Sequence, residues 1–127
     1  MLYQATKPVI LIYQKGTVDQ EKLTQVELGM EEEGIPFLKE VIEATSEEGI
    51  VSLAFQAAQS SPLSVGLAIN DQEIVLHYRN LQKEQFFYRL DDYPRQSNRV
   101  LRILGTNAAK LVKGTPLIPD AALETSF

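Results

Sequence analysis

Glu31, Glu32 and Glu33 stand in a row just before Gly34-Ile35-Pro36, and carboxylates gathered at a turn are what a hard divalent cation or a basic protein surface takes. A helix is expected to end there. The last turn of a helix carries partial negative charge on its unpaired carbonyls, so each exposed carboxylate at that end costs about 0.3 to 1 kcal/mol. The chain places acids well elsewhere: Thr45-Ser46-Glu47-Glu48 reads as a capping box with two acids at a helix start. A local rule broken in one place and obeyed in another marks the glutamate corner as a candidate site. The alternative reading is a solvated charged corner.

A second cluster is cationic. Arg95, Arg99 and Arg102 are spaced i, i+4 and i+7, which on one continuous helix puts three guanidinium groups on one face, able to grip an acidic partner or to form a solvated stripe. On the same segment, Leu104-Gly105-Thr106-Asn107-Ala108-Ala109 offers small residues. Gly105 costs about 1 kcal/mol relative to Ala in a helix interior and so needs a packing reason, for which close contact with the sheet is the expectation.

Other chemistry is missing. Lys15-Gly16-Thr17 lacks the preceding glycines and the Lys-Ser/Thr pair of a phosphate loop, so the chain alone is not expected to turn over ATP. The single histidine, His77, falls between Leu76 and Tyr78 with no second His or Cys at ligand spacing, and reads as structural. Ser60, Ser61 and Ser64 have no His or Lys in a strand-turn-helix elbow and read as helix terminators. With no cysteine, disulfides, thiol nucleophiles and zinc-thiolate sites are absent, which fits a reducing compartment. A net charge of -5 disfavours nucleic acid, whose binding is driven by Lys and Arg on phosphates. The apolar run 9–13 is too short for a signal segment or a membrane span. The expectation is a soluble cytoplasmic protein.

These residues need a scaffold, and 127 residues suffice for one domain with its own core. Residues 9–13, Val-Ile-Leu-Ile-Tyr, are continuously apolar, as in a parallel strand buried on both faces. Leu23, Val26 and Met30 give an apolar stripe to a helix over 19–33, with Gly34 placed as its left-handed cap. A second strand over 36–42 is interrupted by Lys39 and Glu40, as an edge strand tolerates. The remaining expectations are a buried helix over 46–59, a hairpin of strands over 64–69 and 73–78, a fifth strand over 85–90, and a long helix over 94–113 stopped by Gly114 and Pro116. Residues 115–127 show no periodicity and are expected to drape over the surface. Right-handed crossovers, together with the apolar first and third strands, predict a three-layer α/β/α sandwich on a mixed five-stranded sheet of order 2-1-3-4-5.

Three segments in this order, LGMEEEGIPF (28–37), SSPLSVGLAI (60–69) and LRILGTNAAKLVKGTPL (101–117), resemble the small subunit of the glycerol and diol dehydratase reactivases, and the similarity covers about residues 7 to 119. The resemblance implies an anticodon-binding-domain-like α/β/α fold with strand 4 antiparallel. It implies a non-enzymatic, chaperone-like partner of a large subunit with an actin-like or Hsp70-like ATPase core. The pair would release damaged cobalamin from an inactivated adenosylcobalamin-dependent dehydratase by exchange of the small subunit for the dehydratase's medium subunit. The family's corner usually reads Glu-Glu-Gln-Gly, and its second acid reaches a Mg or Ca ion held mainly by the large subunit. By motif that residue is Glu32, with Glu31 and Glu33 as alternatives, because Glu33 stands where Gln is common. The chain alone would bind no cofactor. Location in a bacterial microcompartment, and self-association of the isolated chain, are further expectations.

Two other classes compete. One is a short medium subunit of the dehydratase itself, helping to bind cobalamin. The other is a free-standing small-ligand domain with its site at the strand ends where the order reverses between strands 1 and 3.

Overall fold

Strand β1 (Ile10–Lys15) is apolar on both sides because it lies inside the sheet, with a helix layer over each face. A computed structural model describes residues 7–43 and 47–127. Along them follow α1 (Gln20–Glu32), β2 (Phe37–Ile42), α2 (Ile50–Ser60), β3 (Val65–Ile69), β4 (Glu73–Tyr78), β5 (Tyr88–Asp91) and α3 (Asn98–Lys113). The sheet order is β2-β1-β3-β4-β5. Strand β1 is parallel to both β2 and β3, and the β3–β4 and β4–β5 pairs are antiparallel.

Alternation along the strands builds two cores. Ile10, Ile12, Leu67 and Leu76 face α1 and α3, whereas Leu11, Tyr13, Ala68 and Val75 face α2. The chain is thus the α/β/α sandwich expected, and β2 is the edge strand expected of its Lys39 and Glu40. Val41 on that strand is 76 % exposed.

Several boundaries differ from the sequence reading, each for a local reason. Helix α2 starts at Ile50 behind the N-cap Gly49, later than expected. Thr45 and Ser46 of the expected capping box lie outside the described residues, and Glu48 instead accepts a hydrogen bond from the Ser52 hydroxyl. Helix α3 starts at Asn98 because Ser97 caps it, its hydroxyl accepting the Val100 amide at 3.3 Å. Residues Tyr93–Arg95 form a separate 3-10 turn, introduced by Asp92 in the left-handed region at φ 51° and closed by extended Gln96. Strand β5 begins at Tyr88; before it the Phe87 amide donates to the Leu76 carbonyl at 2.8 Å, and the Phe86 amide and carbonyl are both taken by the Ser126 hydroxyl, at 2.8 Å each.

Gly105 packs on α1 and not on the sheet. A Cβ at Gly105 would sit 1.8 Å from the Val26 carbonyl oxygen, and one at Gly29 would sit 2.3 Å from the Arg102 carbonyl oxygen. The two glycines seat each helix against the other's backbone. The tail is tied down: the buried Asn107 side chain clamps Ile118, donating to its carbonyl and accepting its amide at 2.7 Å each, and Leu123 enters the core.

Gly105→Ala and Gly29→Ala are each expected to destabilise the chain by about 1 to 3 kcal/mol or more, since backbone cannot yield as a side chain can and overpacking outweighs a helix-propensity gain of about 1 kcal/mol. Urea denaturation of both variants checks this; a stabilised Gly105→Ala would refute the close crossing.

Candidate functional site

The glutamate corner is built by the end of α1. Glu33 is the C-cap in the right-handed region and Gly34 turns the chain at φ 77°. The Gly34 amide donates to the Glu31 carbonyl at 2.9 Å and the Ile35 amide to the Met30 carbonyl at 3.1 Å, so the last turn is closed by backbone. The helix has no basic residue in its own last turn. Its cations come from α3, brought within reach by the Gly29–Gly105 crossing.

Arg102 Nη1 lies 3.1 Å from Glu32 Oε1, and its Nη2 donates to Gln25 Oε1 at 2.9 Å. Glu33 Oε1 lies 3.1 Å from Lys113 Nζ and 3.7 Å from Lys110 Nζ. The hydrogen bond from Lys113, outweighing the effect of burial and aided by the charge of Lys110, holds the Glu33 carboxyl below the usual carboxylate range. Both lysines sit in the last turn of α3, where a helix favours positive charge. The misplaced Glu33 of one helix thus meets the well-placed lysines of another.

The three glutamates are therefore not equivalent. Glu33 is engaged by two lysines. The Glu32 side chain is paired yet 60 % exposed, and Glu31 is exposed. Among the described residues no three of His, Asp and Glu converge to hold a metal ion. The corner therefore offers a metal at most one outward carboxylate, from Glu31 or from Glu32, the latter in competition with Arg102.

The arginines do not form one stripe. Arg95 belongs to the 3-10 turn, not to α3, and faces Asp92 at 3.9 Å; Arg99 faces Asp120 at 3.6 Å, and Arg102 faces Glu32. Each has a local acid. His77 is wholly buried against the Phe55 ring, its Nδ1 accepting the Tyr78 amide at 3.0 Å, a structural arrangement. The Ser61 hydroxyl donates to the Val9 carbonyl at 2.7 Å and accepts the Leu63 amide at 3.0 Å, ending α2.

The strand ends between β1 and β3, where a ligand crevice is expected in an open α/β sheet, are plugged by Tyr93. It is fully buried, and its hydroxyl donates to the Asn70 carbonyl at 2.7 Å and accepts the Asp19 amide at 3.0 Å. The Asp19 side chain itself accepts the Lys22 amide at 3.2 Å, so the N-terminus of α1 is served from within. Sequence reasoning missed this plug. Its signal was a Tyr-Pro pair between two aspartates and a capping Ser. Sequence reasoning also missed an open polar groove of about 480 Å³ lined by Glu21, Lys22, Thr24, Gln25 and Asn98, in which the Lys22 ammonium donates to the Gln96 carbonyl and to Asn98, and the Thr24 hydroxyl donates to the Gln20 carbonyl. No helix among the described residues is long and apolar enough to cross a membrane.

The chain matches the dehydratase medium subunit family model over residues 7–118, and its curated relatives narrow this. It is 46 % identical over 92 residues to the propanediol dehydratase-reactivating factor small subunit of Salmonella typhimurium, covering 72 % of this chain and 75 % of that protein. The chain belongs to the dehydratase-reactivating factor small subunit family. The Citrobacter freundii propanediol factor small subunit is 39 % identical over 112 residues, covering 87 % and 90 %. In structure, the chain is similar to a diol dehydratase-reactivating factor complexed with ADP and Mg2+, with TM-score 0.80 and 38 % identity over 90 % of this chain and 100 % of that one. It is also similar to a glycerol dehydratase reactivase, with TM-score 0.79 and 27 % identity over 89 % and 98 %. This family member therefore has a reactivase relationship to a dehydratase, and the glutamate corner lies inside the matched region.

The Glu33 clamp should appear as an acid-side loss of stability. A carboxyl with a lowered folded value contributes fully above its unfolded value, and the contribution is lost as pH falls through the folded one. Thermal melting of Glu33→Gln and wild type across pH should show a wild-type advantage near neutrality that disappears on acidification below the ordinary carboxylate range. An advantage independent of pH would mean that Glu33 does not carry it.

Proposed function

We propose that this chain is the chaperone-like, non-catalytic small subunit of a reactivating factor, pairing with an ATPase large subunit to free an adenosylcobalamin-dependent dehydratase of damaged cofactor by subunit exchange. The observation that carries this reading is the likeness to reactivating-factor small subunits, 46 % in sequence over 72 % of the chain and 0.80 in TM-score over 90 % of it. The site chemistry supports it: the crevice of the small-ligand reading holds Tyr93, His77 and Ser61 serve the fold, and the polar groups left at the surface suit contact with another protein.

Within this reading Glu32 is the residue that reaches a divalent ion in the large subunit. A carboxylate supplies the hard oxygen that Mg or Ca takes. Glu32 is exposed enough to turn outward, and Glu33 is held by Lys110 and Lys113. A factor of similar structure was solved with ADP and Mg2+, which is the setting the reading requires. Arg95 and Arg99, the more exposed arginines, serve as interface residues beside it.

Titration of the purified large subunit, with and without Mg, by variants in which Glu31, Glu32 or Glu33 is changed to Gln tests this. Glu32→Gln should weaken the complex on the order of tenfold or more, the scale of losing a contact to a charged group. The lone chain should change by less than about 1 kcal/mol, because losing an exposed pair with Arg102 and losing a charge opposed to the helix dipole nearly cancel. If all three variants bind as wild type does, the corner is a solvated face. The isolated chain should show no ATP hydrolysis, and turnover by the pure chain would overturn the non-catalytic assignment.

A further inference from the structure

The outer edge of β5 is closed by the chain's own C-terminal segment. The Arg89 amide donates to the Glu124 carbonyl at 2.8 Å and the Glu124 amide donates back to the Arg89 carbonyl at 3.0 Å, an antiparallel bridge one residue pair long. Ser126 adds its two bonds to Phe86, and the Phe127 ring meets Phe87 edge-on at 5.6 Å. The segment does for β5 what a sixth strand would do. It is lightly held: beyond Ile118 only Leu123 is buried, and Phe127 is 65 % exposed. These last residues also lie beyond the stretch 7–118 matched by the family model.

Beneath the strap is a self-complementary strand. Alternation along β5 turns the amide and carbonyl of Arg89 and Asp91 to the same outer edge, and the Asp91 carbonyl already accepts a bond there from Gln96 Nε2 at 3.3 Å. A second copy laid antiparallel about Leu90 places Arg89 opposite Asp91 twice, with opposite charges facing across the seam. Glu124 now stands in the place that the second copy's Asp91 would take. We propose that the outer edge of β5 is a strand-pairing surface for a second copy of this chain, held shut by the strap 119–127. Releasing the strap converts a covered edge into a dimer seam, the event that native edge strands are otherwise built to prevent.

Full-length variants test it by sedimentation velocity over a concentration series, with amide exchange read at Arg89. Glu124→Pro removes the donor to the Arg89 carbonyl, and Leu123→Asp expels the buried anchor. Each should speed exchange at Arg89 and strengthen self-association by at least about tenfold. Adding Asp91→Lys to the Glu124→Pro chain sets like charges across the seam and should abolish the gain. Faster exchange with unchanged association would overturn the proposal, since the edge would be open and unused. Weaker association would overturn it too, showing that the segment links copies rather than separating them. A gain that survives Asp91→Lys would place the contact elsewhere.

Discussion

The close crossing of α1 and α3 is the constraint on which the rest of this molecule hangs. Gly29 and Gly105 each face the other helix's backbone, at separations no Cβ could occupy. Such contact brings the helices to the lower limit of interaxial distance, and two consequences follow. The shared core between the helices and the sheet includes medium-sized aliphatic side chains such as Val26, Leu101 and Leu104. The polar flanks are drawn together as well, so that Arg102, Lys110 and Lys113 stand beside Glu32 and Glu33. The glycines set the electrostatics of the corner without carrying charge.

That coupling changes what the glutamate row means. Judged on α1 alone, three acids at a C-terminus oppose the dipole. Judged on the helix pair, two of them sit beside cations: Glu33 beside the two lysines at the favourable end of α3, and Glu32 beside Arg102 near its start. The arrangement is polarised, because Glu33 is shared by two lysines whereas the exposed Glu32 has one half-buried arginine. A carboxylate held by a single exposed pair costs little to turn aside, whereas one gripped from two sides does not turn without losing both. The corner thus contains a fixed acid and an available one, side by side.

The sheet order and layers were legible because they rest on patterns that the sequence states directly. The unbroken apolar run at Ile10 to Tyr13 demands cover on both faces, and the charges of Lys39 and Glu40 demand an edge. Gly34 was readable as a left-handed cap and Gly114 as a helix stop, and both are left-handed, at φ 77° and 71°. The starts of α2 and α3 were less legible, because several polar residues near each could cap it and the choice is tertiary. Pro94 read as the first helical residue, yet the left-handed Asp92 and extended Gln96 detach its turn from α3, and with it Arg95 leaves the stripe. The ion pairs of the glutamate corner could not be read at all. They join residues 70 or more positions apart, and their existence depends on a helix spacing set by a glycine on each partner.

The Tyr93 plug and the C-terminal strap show the same logic at the two ends of the sheet. A βαβ sheet of this order opens a crevice at its reversal and leaves raw edges on its outer strands. This chain closes the crevice with one phenol, whose hydroxyl joins the end of β3 to the start of α1 through Asn70 and Asp19. It closes the β5 edge with a single bridge at Glu124, and on β2, the opposite edge strand, the Val41 side chain is exposed. A fold whose ligand crevice is filled and whose polar groups are drawn to its surfaces is arranged to meet other polypeptides. The two closures differ in how much must be broken to open them: a buried tyrosine with two hydrogen bonds at the strand reversal, and an exposed segment with one buried leucine at the β5 edge.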